Sequence, residues 1–296
     1  MRRIILILKK KKLAKLSVIS SGIYSSVQDL GRYNFTHLGV PISGVLDTYS
    51  AQFANLLLGN TATDAVIEIT FSGATFSFNA PTQIVISGAR TTVNVNEKSF
   101  NQDQVISVKK NDVLKIGKST LGFRTYLAIK DGFKTKEFLG SRSFYKPVSE
   151  LSTLSDNDEL EYNDYVTQET VQQSSVKFQE SYLSETTINV YKGVEFDLLT
   201  DSVKVQLVNQ LTISAASNRM AYQFDETIQC SVSDILTGPV LPGTVQLTPN
   251  GKLIVLMRDC QTTGGYARVL QVSEDGLNCL AQKPLGSKIK FQIVDF

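Results

Sequence analysis

AVIEITFSGATFSF, residues 65–78, decides the fold. Val66, Ile67, Ile69 and Thr70 are β-branched, and Phe71, Phe76 and Phe78 are aromatic, the side chains that suit a pleated surface. Ser72-Gly73 breaks the run into two short strands joined by a turn. The same texture continues on the C-terminal side. TQIVISGARTTVNVNEKSF (82–100) follows, with Val93 and Val95 alternating with polar neighbours. VISVKKNDVLKIG (105–117) and TLGFRTYLAI (120–129) come next, divided by turns at Asn111-Asp112 and Gly117-Lys118. Short strands at this spacing predict an antiparallel barrel or sandwich.

Strands resume late in the chain as INVYKG (188–193), LTISAA (211–216), VQLTPNGKLIVLMRD (245–259) and KIKFQIVDF (288–296). Between the two groups, residues 149–187 are polar and acidic; part reads as a last edge strand and part as a linker. The reading is two β-rich domains, 16–170 and 171–296, behind a basic leader at 1–15. Helices are few. Asp47 is an N-cap for a helix over Thr48–Leu58, with Ala51, Ala54, Leu57 and Leu58 on one face and Gly59 ending it. A second helix is predicted over Glu195–Leu207.

Hydrophobic residues make up 42% and charged residues 20% of 296, the balance of a soluble globular protein. No apolar run approaches the length of a membrane span. The opening MRRIILILKKKK has too short an apolar core for a signal peptide, and lysines stand where a cleavage site would be. It reads as a basic leader or an over-extended start. Seven of the 30 basic residues fall in positions 1–15, and the rest of the chain is mildly acidic. The isoelectric point near 8.3 is therefore no case for nucleic acid. Three cysteines without CxxC spacing argue against a disulfide scaffold or zinc site and fit a reducing cytoplasm.

VQDLGRYNFTHLGVPISGVLD (27–47) has neither helical nor strand periodicity, yet it gathers polar side chains and the single histidine, His37. Asp29 suits capping a tight turn or fixing Arg32, and an arginine so held is a ready fork for a carboxylate or phosphate. A histidine side chain can move protons near neutral pH, and His37 is the one this sequence offers. Ser43-Gly44, ahead of the Asp47 helix, offers backbone N–H groups to an anion. Each of these also serves an ordinary loop, with Asp47 only a cap and Asp29 only a pin. SNRM (217–220) and QTTGGYARV (261–269) raise the same question. Gly264-Gly265 admits a ligand close to the backbone, or simply makes a hairpin. Cys260 reads as a small buried thiol at a strand end. GKST (117–120) lacks the upstream glycine and the helix of a phosphate loop. With one histidine, no histidine-ligated metal site is expected.

Nine stretches in order then resemble one family: VQDLGR (27–32), HLGVPISGVLD (37–47), ANLLLGN (54–60), EITFSGATF (68–76), GFRTYLAIKDGF (122–133), LGSRS (139–143), SNRMAY (217–222), LPGTVQLTPNG (241–251) and QTTGGYARV (261–269). They resemble the KipA family, whose members are also called the C component of 5-oxoprolinase or allophanate hydrolase subunit 2 and are grouped with biotin-dependent carboxyltransferases. The resemblance implies two cyclophilin-like β-barrel domains. It implies work with a KipI-like protein as the B component and a LamB/YcsF-like protein as the A component, opening 5-oxo-L-proline to L-glutamate with ATP and its magnesium at the assembled complex.

On that resemblance, one wall of a site carries Gln28, Arg32, Ser43 and Gly44, with Asp29, His37 and Asp47 handling protons or orienting neighbours. The other wall carries Asn218, Arg219, Gln246, Gln261, Thr262, Thr263, Gly264, Gly265 and Tyr266. Arg32 and Arg219 would hold a carboxylate or phosphate, and the amides and hydroxyls a lactam or ureido group. Two alternatives stay open: a carboxyltransferase component using biotin carried by another chain, and a non-catalytic regulator binding a KipI-like kinase inhibitor. Ala221, Cys260 and Tyr33-Asn34 depart from the family's usual glycine, arginine and Pro-Gly.

Overall fold

The computed structural model describes residues 12–165, 176–230 and 233–295. The opening stretch forms two strands, Val66–Thr70 and Thr75–Phe78, and they part into different sheets. Val66–Thr70 lies in a five-stranded sheet, in the spatial order Tyr24–Gln28, Val66–Thr70, Leu121–Ile129, Thr82–Arg90, Ile106–Val108. Thr75–Phe78 lies in a six-stranded sheet, in the order Glu159–Asn163, Leu13–Ser20, Thr75–Phe78, Val113–Ile116, Val93–Val95, Lys98–Phe100. The pairings of both sheets are antiparallel. Between them lies one core that includes Leu16, Phe76, Phe78, Ile84, Leu127 and Tyr162.

The later strands make a seven-stranded sheet, in the order Leu211–Thr212, Lys288–Ile293, Thr187–Lys192, Ala267–Val272, Thr244–Leu247, Lys252–Leu256, Ala221–Thr227. Its two outer strands are drawn together by a bridge between Ile213 and Phe224, so the sheet nearly closes into a barrel. Closing a sheet on itself removes exposed edges. Its core includes Ile188, Val190, Leu247, Val255, Val269 and Phe291, and also Leu46, which comes from the loop ahead of the first helix. The fold class read from the sequence holds: mainly β, few short helices, two cyclophilin-like β bodies. The boundary expected near residue 170 lies outside the described residues.

Helix α1, Thr48–Leu57, starts where the sequence put it, with the Asp47 carboxylate accepting from Ser50 N, and Gly59 (φ +61°) follows in the left-handed region. It packs Ala51, Ala54 and Leu58 on the outer face of the five-stranded sheet. A short α2, Ser181–Ser184, stands beside it, and Tyr49, Phe53, Phe178 and Tyr182 interlock their rings. None of the described helices is long and apolar enough to cross a membrane.

Two expectations need correction. The first strand begins at Leu13, inside the stretch read as leader, because Ala14 is buried and Lys15 pairs with Glu159 across the sheet. The helix expected over Glu195–Leu207 is a 3-10 turn at Phe196–Leu198 followed by α3 at Asp201–Leu207. Thr200 is extended and caps α3 through its hydroxyl, which restarts the chain. Glu195 stays outside the helix because its carboxylate takes the Arg268 backbone N–H and guanidinium at 2.7–3.0 Å. A fourth helix, α4 at Glu274–Ala281, is absent from the sequence reading although Ser273, Glu274 and Asp275 spell its cap and acidic first turn.

The hydrogen bonds from Arg268 hold the Glu195 carboxyl below its ordinary value. A depressed carboxyl stabilises the fold above its unfolded pKa and stops doing so as pH falls through its folded one. Glu195→Gln is expected to lower the urea midpoint at pH 7 and to lower it less at an acidic pH where the carboxyl is protonated in both folded and unfolded states. Equal loss at both pH values contradicts the assignment.

Candidate functional site

The polar loop 27–47 is built around Asp29. Its carboxylate accepts from Gly31 N (2.8 Å), Arg142 N (2.6 Å), Ser141 Oγ (2.7 Å) and Ser143 Oγ (2.6 Å). That tethers the loop to LGSRS. Gly31 and Gly44 face each other so closely that a Cβ on Gly44 would sit 2.8 Å from Gly31 N, and both have positive φ. Asp29 is thus a pin with its acceptor sites filled, and it does not hydrogen-bond Arg32. Arg32 is wholly buried and donates one Nη2 hydrogen bond to Ser143 O, while Nε and Nη1 find no partner. Gln28 Oε1 and Ser43 Oγ are also buried without a partner. Burial pulls the Arg32 pKa down.

Behind the loop the two bodies are joined by an ion network. Glu68, fully buried, accepts from Arg219 Nη1, Leu46 N (2.8 Å) and Tyr126 Oη (2.9 Å). Arg219 also donates to Asp259 (2.8 and 3.3 Å) and to Gly44 O (2.6 Å). Burial disfavours the Arg219 charge, but the carboxylates of Asp259 and Glu68 more than offset it, and its pKa lies above the ordinary value. Arg124 lies 3.7 Å from Glu68 and donates to Tyr222 Oη (2.7 Å) and to Ala281 O. Nε, Nη1 and Nη2 of Arg219 are all engaged inside the protein, which gives it an architectural role.

Asp47 is a second junction. Besides capping α1, its carboxylate accepts from Ser50 Oγ (2.7 Å), Tyr182 Oη (2.6 Å) and Gln282 Nε2 (2.7 Å). Gln282 in turn accepts from Phe123 N and Arg124 N at 2.8 and 2.9 Å. Burial raises the Asp47 pKa, and the hydrogen bonds from Ser50, Tyr182 and Gln282 oppose that. A carboxylate so enclosed orients Tyr182 and Gln282 and holds the bodies together. His37 is exposed on a 3-10 turn at Thr36–Leu38, away from both cavities of the site.

One cavity, of about 380 Å³, lies between the bodies and is lined by Tyr24, Thr70, Phe123, Arg124 and Tyr145 on one side and by Asn218, Arg219, Met220, Tyr222, Asp259 and Leu285 on the other. The second, of about 390 Å³, is lined by Asp234, Ile235, Gln246, Gln261, Gly264, Gly265 and Tyr266. Asp259 faces the first and Gln261 the second, so the segment between them is a shared partition. The second wall expected from the sequence is therefore divided between two cavities. Ser43 N donates to Arg258 O and Gly44 O accepts from Arg219, so loop and partition do meet. In the second cavity Gln246 is 1% exposed and its Nε2 has no hydrogen-bond partner. Gly264 makes room for it: a Cβ there would lie 2.4 Å from that nitrogen. Thr262 O accepts from Val240 N at 3.1 Å, and Thr263 and Gly264 form a two-residue ladder with Pro239 and Gly238.

The sequence reading missed Glu68, Tyr182 and Gln282. Glu68 had a signal, a lone acid inside the apolar strand VIEIT; the other two had none. Cys260 is buried, and burial pushes its thiol up to about 12, as a structural cysteine requires. Among the described residues no group of three or more His, Cys, Asp or Glu is placed to hold a metal.

Two β bodies locked by buried ions around ligand-sized cavities define a carboxyltransferase-type fold. The chain belongs to the family of the carboxyltransferase domain, subdomains A and B, whose model matches residues 38–293. It is 32% identical to the C subunit of 5-oxoprolinase from Escherichia coli (strain K12), over 93% of this chain and 90% of that one. It is 28% identical to the C subunit of 5-oxoprolinase from Haemophilus influenzae, over 91% and 88%. The crystal structure of Kluyveromyces lactis urea carboxylase superposes with a TM-score of 0.81 at 26% identity, covering 98% of this chain and 28% of that far longer one.

Removing one member of a buried ion pair leaves its partner charged and unpaired, at a cost of about 3–5 kcal/mol. Arg219→Met is expected to lose that much in urea unfolding. Adding Glu68→Gln is expected to restore part of it; two losses that simply add would show the groups to be independent.

Proposed function

We propose that this chain is the C component of an ATP-dependent 5-oxoprolinase, opening 5-oxo-L-proline to L-glutamate with a KipI-like B component and a LamB/YcsF-like A component. Homology to the C subunit of 5-oxoprolinase over nearly the whole chain supports the class. The observation that carries the site is Gln246. A side-chain amide buried to 1% exposure, with an unpartnered N–H donor and a cavity in front of it, is costly to keep unless a ligand completes it. A lactam carbonyl does so.

In this reading Gln246 Nε2 donates to the ring carbonyl oxygen. Charge grows on that oxygen when the amide carbon is attacked, and a fixed donor in a desolvated site stabilises the charge. Gln261 fixes the lactam plane, and Gly264-Gly265 lets the ring lie against the backbone. ATP, with its magnesium, supplies the driving force at the assembled complex.

A second reading rests on the likeness to urea carboxylase: transfer of a carboxyl group from biotin carried by another chain. The ureido ring of biotin offers Gln246 the same carbonyl, so the reaction must decide. Glutamate release from 5-oxoproline and ATP is expected only when this chain and both partners are present. Gln246→Leu is expected to lower kcat about 10²-fold or more while the unfolding temperature holds, because the lost donor has no partner in the protein. Undiminished release from the variant removes Gln246 from the site; no release from the wild-type three-component mixture removes the oxoprolinase reading itself.

A further inference from the structure

Another cavity, of about 610 Å³, lies between the bodies and shares no lining residue with the two described above. The first body gives it Phe71 and the segment from Ser119 to Gly122; the second gives Leu183, Ser184, Thr186 and residues between Lys283 and Lys288. It therefore holds the Ser-Thr pair of GKST. That motif lacks the glycine and the helix of a phosphate loop, but here its hydroxyls stand opposite lysines from the other body.

Two lysines, Lys283 and Lys288, line this cavity, and no aspartate or glutamate does. Lys283 is 4% exposed, and its ammonium donates to Tyr182 O (3.0 Å) and Leu183 O (2.8 Å), Leu183 itself lying on the cavity wall. The Cys279 thiol beside it is kept neutral by burial. Lys118 lies over the ring of Phe71, 4.7 Å from its centre, on the same wall. The carboxylates on the surrounding elements are spent on backbone N–H groups: Glu185 accepts from Thr186 N (2.9 Å) and Thr187 N (2.8 Å), and Glu226 from Thr212 N (2.7 Å) on the strand beside Lys288. Among the described residues neither makes an ion pair with Lys283 or Lys288. Burial pulls the Lys283 pKa down. A buried ammonium held only by carbonyls is one that an anion in the adjoining space would stabilise.

The hydroxyls of the lining divide in two. Thr120 Oγ1 donates to Arg90 O and Ser184 Oγ to Ser181 O, each at 3.1 Å. Ser119, Thr186 and Ser287 have no side-chain partner among the described residues. Lysine acts on an anion as a point charge, whereas a planar carboxylate is matched by the fork of an arginine, and no arginine lines this cavity. Point charges with several separate hydroxyl donors suit the many oxygens of a phosphoryl group. We propose that this cavity is a phosphoryl-binding site, with the phosphate oxygens on the Lys288 ammonium and the hydroxyls of Ser119, Thr186 and Ser287, and with Lys283 supplying charge from the wall. Inorganic phosphate and the phosphate chain of a nucleotide offer this same chemistry. The site does not depend on the lactam reading, since it uses none of the residues around Gln246.

Isothermal titration of the full chain alone, without partners, with inorganic phosphate, pyrophosphate and ATP tests the proposal. Saturable binding of at least one is expected. Equal affinity for pyrophosphate and ATP identifies the phosphate chain as all that is read; ATP tighter by about tenfold or more identifies a nucleotide. Ser287→Ala and Lys288→Gln are each expected to weaken binding by about tenfold without lowering the unfolding temperature, since neither side chain has a partner in the protein. Lys283→Met, with its fold checked by near-ultraviolet circular dichroism, is expected to weaken binding by about tenfold or more. Lys98→Gln removes the same charge from an exposed position outside the lining and is expected to leave binding unchanged. The proposal falls if none of the three ligands binds saturably, if Lys98→Gln weakens binding as much as Lys288→Gln, or if Lys283→Met and Ser287→Ala bind as the wild type does.

Discussion

The structure depends on one buried guanidinium. Arg219 comes from a turn of the second body, yet it reaches Glu68 in the first, Asp259 in its own and the carbonyl of Gly44 in the loop between. Ion pairs in water contribute little, but a buried charge that loses its partner is expensive. This pairing therefore specifies geometry more than it adds stability. It fixes how the two bodies face each other, and so the shape of the cavity between them. Asp47 repeats the device with neutral donors, Tyr182 and Gln282 meeting it from elements far along the chain.

What can be read from the sequence is what the chain decides locally. Helix α1 is legible because cap, apolar face and terminating glycine lie close together, from Asp47 to Gly59. The strands are legible because alternation and β-branched runs are local too. The helix at Glu195 is misjudged because Arg268, 73 residues away, claims its carboxylate. Asp47 and Arg219 read as ligand-handling residues because polar side chains in loops are ambiguous until their partners are known. For these two the partners are inside the protein. For Arg32 and Gln246 part of the hydrogen-bonding capacity is unfilled, a distinction the sequence does not carry.

The single site expected from two walls became two cavities sharing the segment from Asp259 to Gln261. Asp259 is locked to Arg219, while the segment that follows carries Gly264 and Tyr266 into the second cavity. A shift in how the bodies pack would pass through this segment from one cavity to the other, a short path with an ion pair at one end. Such direct mechanical connection is how packed elements link two sites, because close-packed interiors transmit displacement.

Leu46 has a consequence for how the protein is made. It stands before α1 but is buried in the core of the second body, among side chains that extend to Phe291. On a ribosome adding roughly 5–20 residues per second, roughly 10–50 seconds separate the synthesis of Leu46 from that of its last neighbours. Throughout that interval the core that finally buries this side chain is incomplete. The loop is one that chaperones are equipped to cover, and the nascent second body must close around a segment already delivered. The order of translation thus makes the early loop a template on which the late barrel finishes folding.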